Sequence, residues 1–340
     1  MRAGGMRIVQ LVVTDNFAGT ERYVAQTGRE LARRGHDVTV LGGQRAGMTA
    51  MLEDAVDWRP AATPLAALRA MLHVGTVDIV NAHLTYAETA AVLTKPAHRG
   101  RVVSTLHLAA PRGSGTVGAM VRRLVEGSVA TEVAVSDFVA ATAAPREVHV
   151  VRSGVREDES AYDIDAKTVV MVQRLEADKD TGTGLLAWRA SGLSDQGWSL
   201  IVIGDGSERE SLQSLVYGDE SVRFVGHVAD VPSYLRSAGI LLATAPADSF
   251  GLSVVEAMAA GVPVVASRAG GHVETLGSVD DAPLFPVGDV NEAARCLTDL
   301  AADPGRRKEL SDAGREVQRR AFSLERQVDE LEGIYRMVLR

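Results

Sequence analysis

Short runs of β-branched residues alternate along the whole chain with stretches whose apolar positions recur every three or four residues. That alternation predicts βα units and a parallel sheet. In the first half the runs fall at Arg7–Val13, Asp37–Leu41, Ile79–Asn81, Val102–Leu106, Glu132–Val135 and Val148–Val151. A helix is predicted from about Thr20 to Arg34, with Tyr23, Val24 and Leu31 on its inner stripe and Gly35 ending it. A second series begins at Thr168–Val172. It continues through Ser199–Ile203, Val222–Val225, Ile240–Ala243, Val262–Ala266 and Pro283–Phe285. Between the two series, residues 153–166 are polar, acidic and without periodicity, which marks a linker. The final stretch, Leu324–Leu339, places Leu324, Val328, Leu331, Ile334 and Tyr335 on one helical face. The expected architecture is α/β. Two Rossmann-like, doubly wound parallel-sheet domains cover residues 1–155 and 165–322, followed by a terminal helix over residues 323–340. Ligands of such sheets bind beyond the carboxyl ends of the strands, so the chemistry is expected in the following loops and in a cleft where the domains face one another.

Composition narrows the function. A chain of 340 residues exceeds one ordinary core, and 46% hydrophobic with 24% charged residues reads as globular. The single cysteine, Cys296, excludes an intramolecular disulfide and suits a reducing compartment, so a cytoplasmic location is expected. No apolar run approaches the roughly 18 residues of a membrane span. The net charge of −8 argues against nucleic acid as a partner. That charge is uneven. Residues 1–160 carry 18 basic and 16 acidic side chains, the remainder 18 and 28, giving +2 and −10. Val117–Val129, with Arg122 and Arg123, leaves peripheral membrane contact open, although a solvated helix is the favoured reading.

The most informative stretch is Asp248-Ser249-Phe250-Gly251-Leu252-Ser253-Val254-Val255-Glu256, before a stop at Gly261 and Pro263. A Phe-Gly turn feeding a helix N-terminus gathers backbone N–H donors suited to phosphate. Carboxylates eight positions apart suit hydroxyls on either side of it. Phosphate flanked by polyols describes a nucleotide sugar. Glu256 has a structural rival, because Ser253…Glu256 has the form of a capping box. Arg174 and Lys179, five apart after the seventh predicted strand, are suited to a diphosphate. Gly204-Asp205-Gly206 either touches a nucleotide or forms a tight turn. Val225-Gly226 offers backbone groups to a base. Gly19, opening the first helix, either admits an anion or merely precedes Thr20 as an N-cap. His83 and His107 end strands and are as readily structural as functional. No third ligand is spaced for zinc, so neither metal nor cofactor is expected.

With these motifs in order, the chain resembles the retaining glycosyltransferases of family 4 (glycosyl transferases group 1), which have the GT-B fold. The anchors are Gly35-His36-Asp37-Val38-Thr39-Val40, Arg174 with Lys179, Gly204-Asp205-Gly206, Phe224-Val225-Gly226, Asp248…Glu256 and Gly270-Gly271-His272-Val273-Glu274. The resemblance implies a donor-binding second domain, an acceptor-binding first domain and a terminal helix that crosses back to the first. It implies that Arg174 and Lys179 hold the diphosphate of a nucleotide-sugar donor. It further implies that the Phe250, Gly251 and Leu252 amides serve the phosphate and sugar, Glu256 the ribose and Asp248 the sugar. His107 matches the histidine beside the reacting carbon, and Gly19 the loop touching phosphate. Three positions depart from the pattern. Asp248 stands where glutamate is usual, Ala18 precedes Gly19 in place of glycine, and Gln173 precedes Arg174 in place of glycine. A nucleotide-sugar epimerase of the same fold, or a non-catalytic nucleotide-sugar binder, is the alternative. The acceptor is unidentified.

Overall fold

The computed structural model describes residues 5–109, 127–142, 147–228 and 230–340. Most of the helix expected over Val117–Val129 lies outside these residues. The described chain divides into two units, one comprising Met1–Ser153 with Leu324–Arg340 and the other Gly154–Ser323.

In the first unit, seven parallel strands are ordered β3-β2-β1-β4-β5-β6-β7. They are β1 (Arg7–Val12), β2 (Asp37–Leu41), β3 (Asp57–Arg59), β4 (Ile79–His83), β5 (Arg101–Leu106), β6 (Thr131–Ala134) and β7 (Val148–Val150). The hydrophobic pattern misses β3, an Asp-Trp-Arg edge strand with no β-branched residue. The strand is held by a ladder to β2, and the Trp58 indole donates to the Gly42 carbonyl at 2.8 Å. Helix α1 (Gly19–Arg33) starts one residue before the expected position, with Ala18 rather than Thr20 as N-cap. The Glu21 carboxylate reaches back to the Ala18 amide at 2.8 Å. Its far end agrees with expectation, with Gly35 at a positive φ of 89°.

The terminal helix, Leu324–Leu339, buries Leu324, Val328, Leu331 and Tyr335 within this first unit. Its Gln327 amide donates to Thr27 at 2.7 Å, while Arg34 of the first unit pairs with Asp329 at 2.5 Å. Tyr335 enters a polar layer inside the sheet, where its hydroxyl accepts from Asn81 Nδ2 at 2.9 Å and Gln10 Nε2 at 3.2 Å.

In the second unit, six parallel strands are ordered β10-β9-β8-β11-β12-β13. They are β8 (Thr168–Val172), β9 (Ser199–Ile203), β10 (Val222–Gly226), β11 (Ile240–Ala243), β12 (Val264–Ser267) and β13 (Leu284–Phe285). This is the Rossmann order, and its direction reverses between β8 and β11. The segment expected as a linker, residues 153–166, is bound along this unit from Gly154 onward. Val155 N–H donates to Phe322 O at 2.9 Å, the Arg315 guanidinium donates to the Asp158 and Ser160 carbonyls, and the Tyr162 hydroxyl donates to Gly239 O at 2.8 Å. An acidic surface segment without periodicity is thus ordered by arginines distant in sequence, which a local pattern does not reveal.

Candidate functional site

Because the winding order of the second sheet reverses between the parallel strands β8 and β11, the loops leaving these two strands are brought side by side. The first carries Arg174 and Lys179, and the second carries Asp248. Lys179 Nζ lies 2.6 Å from Asp248 Oδ2, with the two side chains keeping 16% and 21% exposure. The other carboxylate oxygen, Oδ1, accepts from Phe250 N–H at 3.2 Å and Gly251 N–H at 2.9 Å. Burial pushes the Asp248 pKa upward, but Lys179, His272 and the Phe250 amide outweigh it, and the carboxyl lies below its ordinary value.

This arrangement corrects two expectations. The Phe250 and Gly251 amides assigned to phosphate are taken by Asp248. Asp248, expected to face a sugar, has both oxygens engaged on its own loop and on Lys179. Phe250 itself is buried, its ring packed edge-on against Phe322 at 5.7 Å, so it pins the turn. Gly251 is N-cap of the helix Leu252–Ala260, at φ 85°. Val254 and Val255 N–H bond to Gly251 O, which leaves the Leu252 and Ser253 amides as helix-start donors with no acceptor among the described residues. Because Ser253 is inside the helix, the Ser253–Glu256 capping box, the structural rival for Glu256, does not form. Glu256 is half-buried on the second turn.

Lys179 is braced from behind. Its carbonyl accepts from the Thr244 hydroxyl at 2.9 Å and from Gln173 Nε2 at 3.2 Å, and Gln173 Nε2 also donates to Thr181 Oγ1 at 2.8 Å. Gln173, a departure from the family pattern, therefore ties the β8 loop to β11. Arg174 differs from Lys179. It is 53% exposed and pairs with Asp178 at 2.9 Å.

Gly204 and Gly206 form the floor beneath this loop. A methyl group on Gly204 would lie 1.9 Å from Gln173 O, and one on Gly206 would lie 2.3 Å from Leu175 O. Leu175 N–H donates to Asp205 O at 2.9 Å. At the next strand the β9–β10 register skips Val225, a bulge that takes its backbone out of the ladder. Gly226 follows at φ 74°, with the Arg209 guanidinium beside it.

Sequence reasoning missed Gln173 as a brace and His272 as a neighbour of the turn. His272 is buried, with Nδ1 3.0 Å from Ser267 Oγ, whose own proton goes to Ala245 O at 2.5 Å. His272 Nδ1 must then be the donor. A methyl on Gly251 would lie 2.9 Å from His272 Cδ2. Burial lowers the His272 pKa, with Asp248 opposing.

In the first unit, Gly19 is exposed at the start of α1. His107 follows β5 and is buried against His83, with Nε2 to Nδ1 at 2.9 Å. Burial pushes His107 down to about 3 and, together with His107 itself, holds His83 well below its ordinary value. The unfolded chain protonates both rings below about pH 6.5 while the folded rings resist, so their stabilising contribution is present above pH 6.5 and lost as pH falls. Wild type should lose up to about 1.4 kcal/mol per pH unit per ring below that point. Urea unfolding at several pH values, against a His107→Gln variant with a shallower fall, checks this; identical slopes would contradict it.

Among the described residues no three His, Cys, Asp or Glu side chains are grouped to hold a metal, and no helix is long and apolar enough to cross a membrane.

A lysine-bearing loop and a helix start thus meet where the winding of a Rossmann-order sheet reverses, an arrangement whose cation and amide donors suit an anion. The model of Glycosyltransferase Family 4 matches residues 17–159 and that of Glycosyl transferases group 1 matches residues 156–317. The chain belongs to this family of glycosyltransferases. It is 33% identical over 144 residues to the N-acetyl-alpha-D-glucosaminyl L-malate synthase of Bacillus anthracis, covering 42% of this chain and 38% of that protein. It is 28% identical over 270 residues to the phosphatidyl-myo-inositol mannosyltransferase of Mycobacterium leprae, covering 74% and 72%. A Haemophilus influenzae glycosyltransferase is matched over 49% of its length, so the chain spans under half of some relatives. The structure of Anabaena HepE in complex with UDP and glucose superposes with a TM-score of 0.78 at 17% identity, over 97% and 99% of the two chains. Sucrose-phosphate synthase of Thermosynechococcus elongatus superposes at 0.76 and 18% identity, over 98% and 99%. The fold is GT-B.

Proposed function

We propose that the protein is a retaining glycosyltransferase moving a sugar from a nucleoside-diphosphate sugar to an acceptor nucleophile, without a metal. The observation that carries this reading is the Lys179–Asp248 pair beside the open amides of Leu252 and Ser253. Breaking the anomeric C–O bond leaves negative charge on the diphosphate. Lys179 uses one N–H on Asp248 and keeps two for phosphate oxygens. Its charge, with the two helix-start amides and Arg174, would stabilise the leaving group electrostatically. Asp248 then acts through Lys179 by aiming it, and its short side chain fits that role. Glu256 is assigned to the ribose hydroxyls, and the Gly204, Gly206, Val225 and Gly226 loops to the nucleotide. Gly19 and His107 are assigned to substrate by the family resemblance. With no free carboxylate placed as nucleophile in the Asp248 turn, retention is assigned to front-face attack assisted by the departing phosphate.

The test is a thermal-shift screen of UDP, GDP, dTDP and ADP and their sugars in EDTA, followed by turnover with hydroxyl, thiol and amine acceptors. UDP-glucose comes first because HepE binds UDP and glucose. A donor at 100 times its dissociation constant should stabilise the protein by about 2.7 kcal/mol. A glycoside with the donor's anomeric configuration supports the reading. An epimerised sugar nucleotide or no product at all selects one of the alternatives.

A further inference from the structure

The polar layer in the first unit fixes where protons lie on His107. Gln10 Oε1 is an acceptor only, and it takes His83 Nε2–H at 2.8 Å and Asn81 Nδ2–H at 3.1 Å. Further out both amides meet hydroxyls: Gln10 Nε2 donates to Tyr335, and the Thr105 hydroxyl donates to Asn81 Oδ1 at 2.8 Å. A neutral His83 with its proton on Nε2 has only a lone pair at Nδ1. That lone pair faces His107 Nε2 at 2.9 Å, so the His107 proton is on Nε2. Nδ1 of His107 is left with a lone pair, and no described residue donates to it. His107 as a residue keeps 9% exposure.

The surroundings hold both rings in place. Tyr23 packs edge-on against His107 at 4.9 Å and against His83 at 5.8 Å. Leu84, immediately after His83, has φ 71° and ψ 162°, a region essentially reserved for glycine. The chain accepts that strain at the residue following the middle ring of the series.

We propose that Gln10 and His83 are positioning residues that fix His107 as the Nε2–H tautomer, so that its Nδ1 accepts a hydrogen bond from a hydroxyl of the bound substrate. An edge that accepts and does not donate selects hydroxyls and repels phosphate, carboxylate and carbonyl oxygens, which offer no proton. The burial that lowers both pKa values keeps the rings neutral, as the relay requires. The inference rests on the transferase reading for the identity of the substrate, but the tautomer does not depend on it.

Two-bond 1H–15N spectra of 15N-histidine-labelled full-length protein at pH 7.5, without substrate, should show both rings protonated at Nε2. Both protonated at Nδ1 would mean that the Gln10 and Asn81 amides are turned over, and would overturn the proposal. His83→Leu removes the acceptor. His83→Gln keeps it, since its amide oxygen can accept from His107 and its NH2 can donate to Gln10. His83→Leu should populate the Nδ1–H form of His107 and lower kcat about tenfold, with donor Kd changed less than about twofold. His83→Gln should restore both. A His83→Leu protein with an unchanged tautomer, or with a lower melting temperature and unaltered kcat, would refute the assignment. A donor screen that finds nothing would end the transferase reading while leaving the tautomer result decisive for the relay.

Discussion

Replacing Lys179 by methionine should lower turnover by about 10²–10³-fold, the usual effect of deleting one donor that stabilises developing negative charge. The substitution keeps the apolar stem and removes only the ammonium, which lies 2.6 Å from Asp248 and has two N–H groups to spare. It also leaves Asp248 without its counter-charge. Breaking a fully buried pair costs about 3–5 kcal/mol. With about a fifth of each side chain exposed, solvent compensates in part, and about 2 kcal/mol is expected. Asp248→Asn separates the two effects. Its amide oxygen can still accept from Phe250 and Gly251, so the turn survives while the aim of Lys179 is lost. Turnover should then fall about tenfold with a smaller stability change. Arg174→Ala, at a half-exposed residue paired with Asp178, should cost under about 0.5 kcal/mol of stability. Steady-state kinetics and urea unfolding on the three variants check the ranking. A Lys179→Met enzyme within threefold of wild type would sink the leaving-group assignment.

The sheets were legible because parallel strands buried on both faces read as apolar runs. Strands β8, β9, β11 and β12 lie where runs of Val, Ile and Leu place them. The loop positions of Lys179 and Asp248 followed from strand order alone. What the sequence concealed were hydrogen-bond partners. The Phe250 and Gly251 amides look free for phosphate in a linear reading, but an aspartate two and three residues earlier has the reach to take both. Glutamate, one methylene longer, is usual in the family at that position. The capping box, the rival reading of Glu256, fails because Gly251 at positive φ caps the helix two residues before Ser253. The His83–His107 contact could not be read at all, because the polar layer around it joins Gln10 to Tyr335, residues 325 positions apart in the chain.

Gly204→Ala should destabilise the second unit by about 3 kcal/mol, or roughly 6–12 °C in its transition. Two physical terms combine at this position. The backbone is at φ 133°, a region that L side chains rarely adopt, and the added methyl would meet Gln173 O at 1.9 Å and Gln173 C at 2.9 Å. Those atoms belong to the start of the β8 loop, so the strand end can relieve the clash only by moving Gln173. Gln173 carries the bonds to Thr181, Thr244 and the Lys179 carbonyl. The same displacement that relaxes the methyl therefore shifts Lys179 relative to Asp248, and donor affinity should fall together with stability. Gly218→Ala isolates the first term, since Gly218 sits at φ 81° with nothing within 4 Å of an added methyl. It should cost about 1 kcal/mol and leave donor binding unchanged. Urea midpoints with donor titrations on both variants decide the matter. If Gly204→Ala lost no more than Gly218→Ala, the glycine would be serving only its own turn, and the floor beneath the Arg174–Lys179 loop would have to be sought elsewhere.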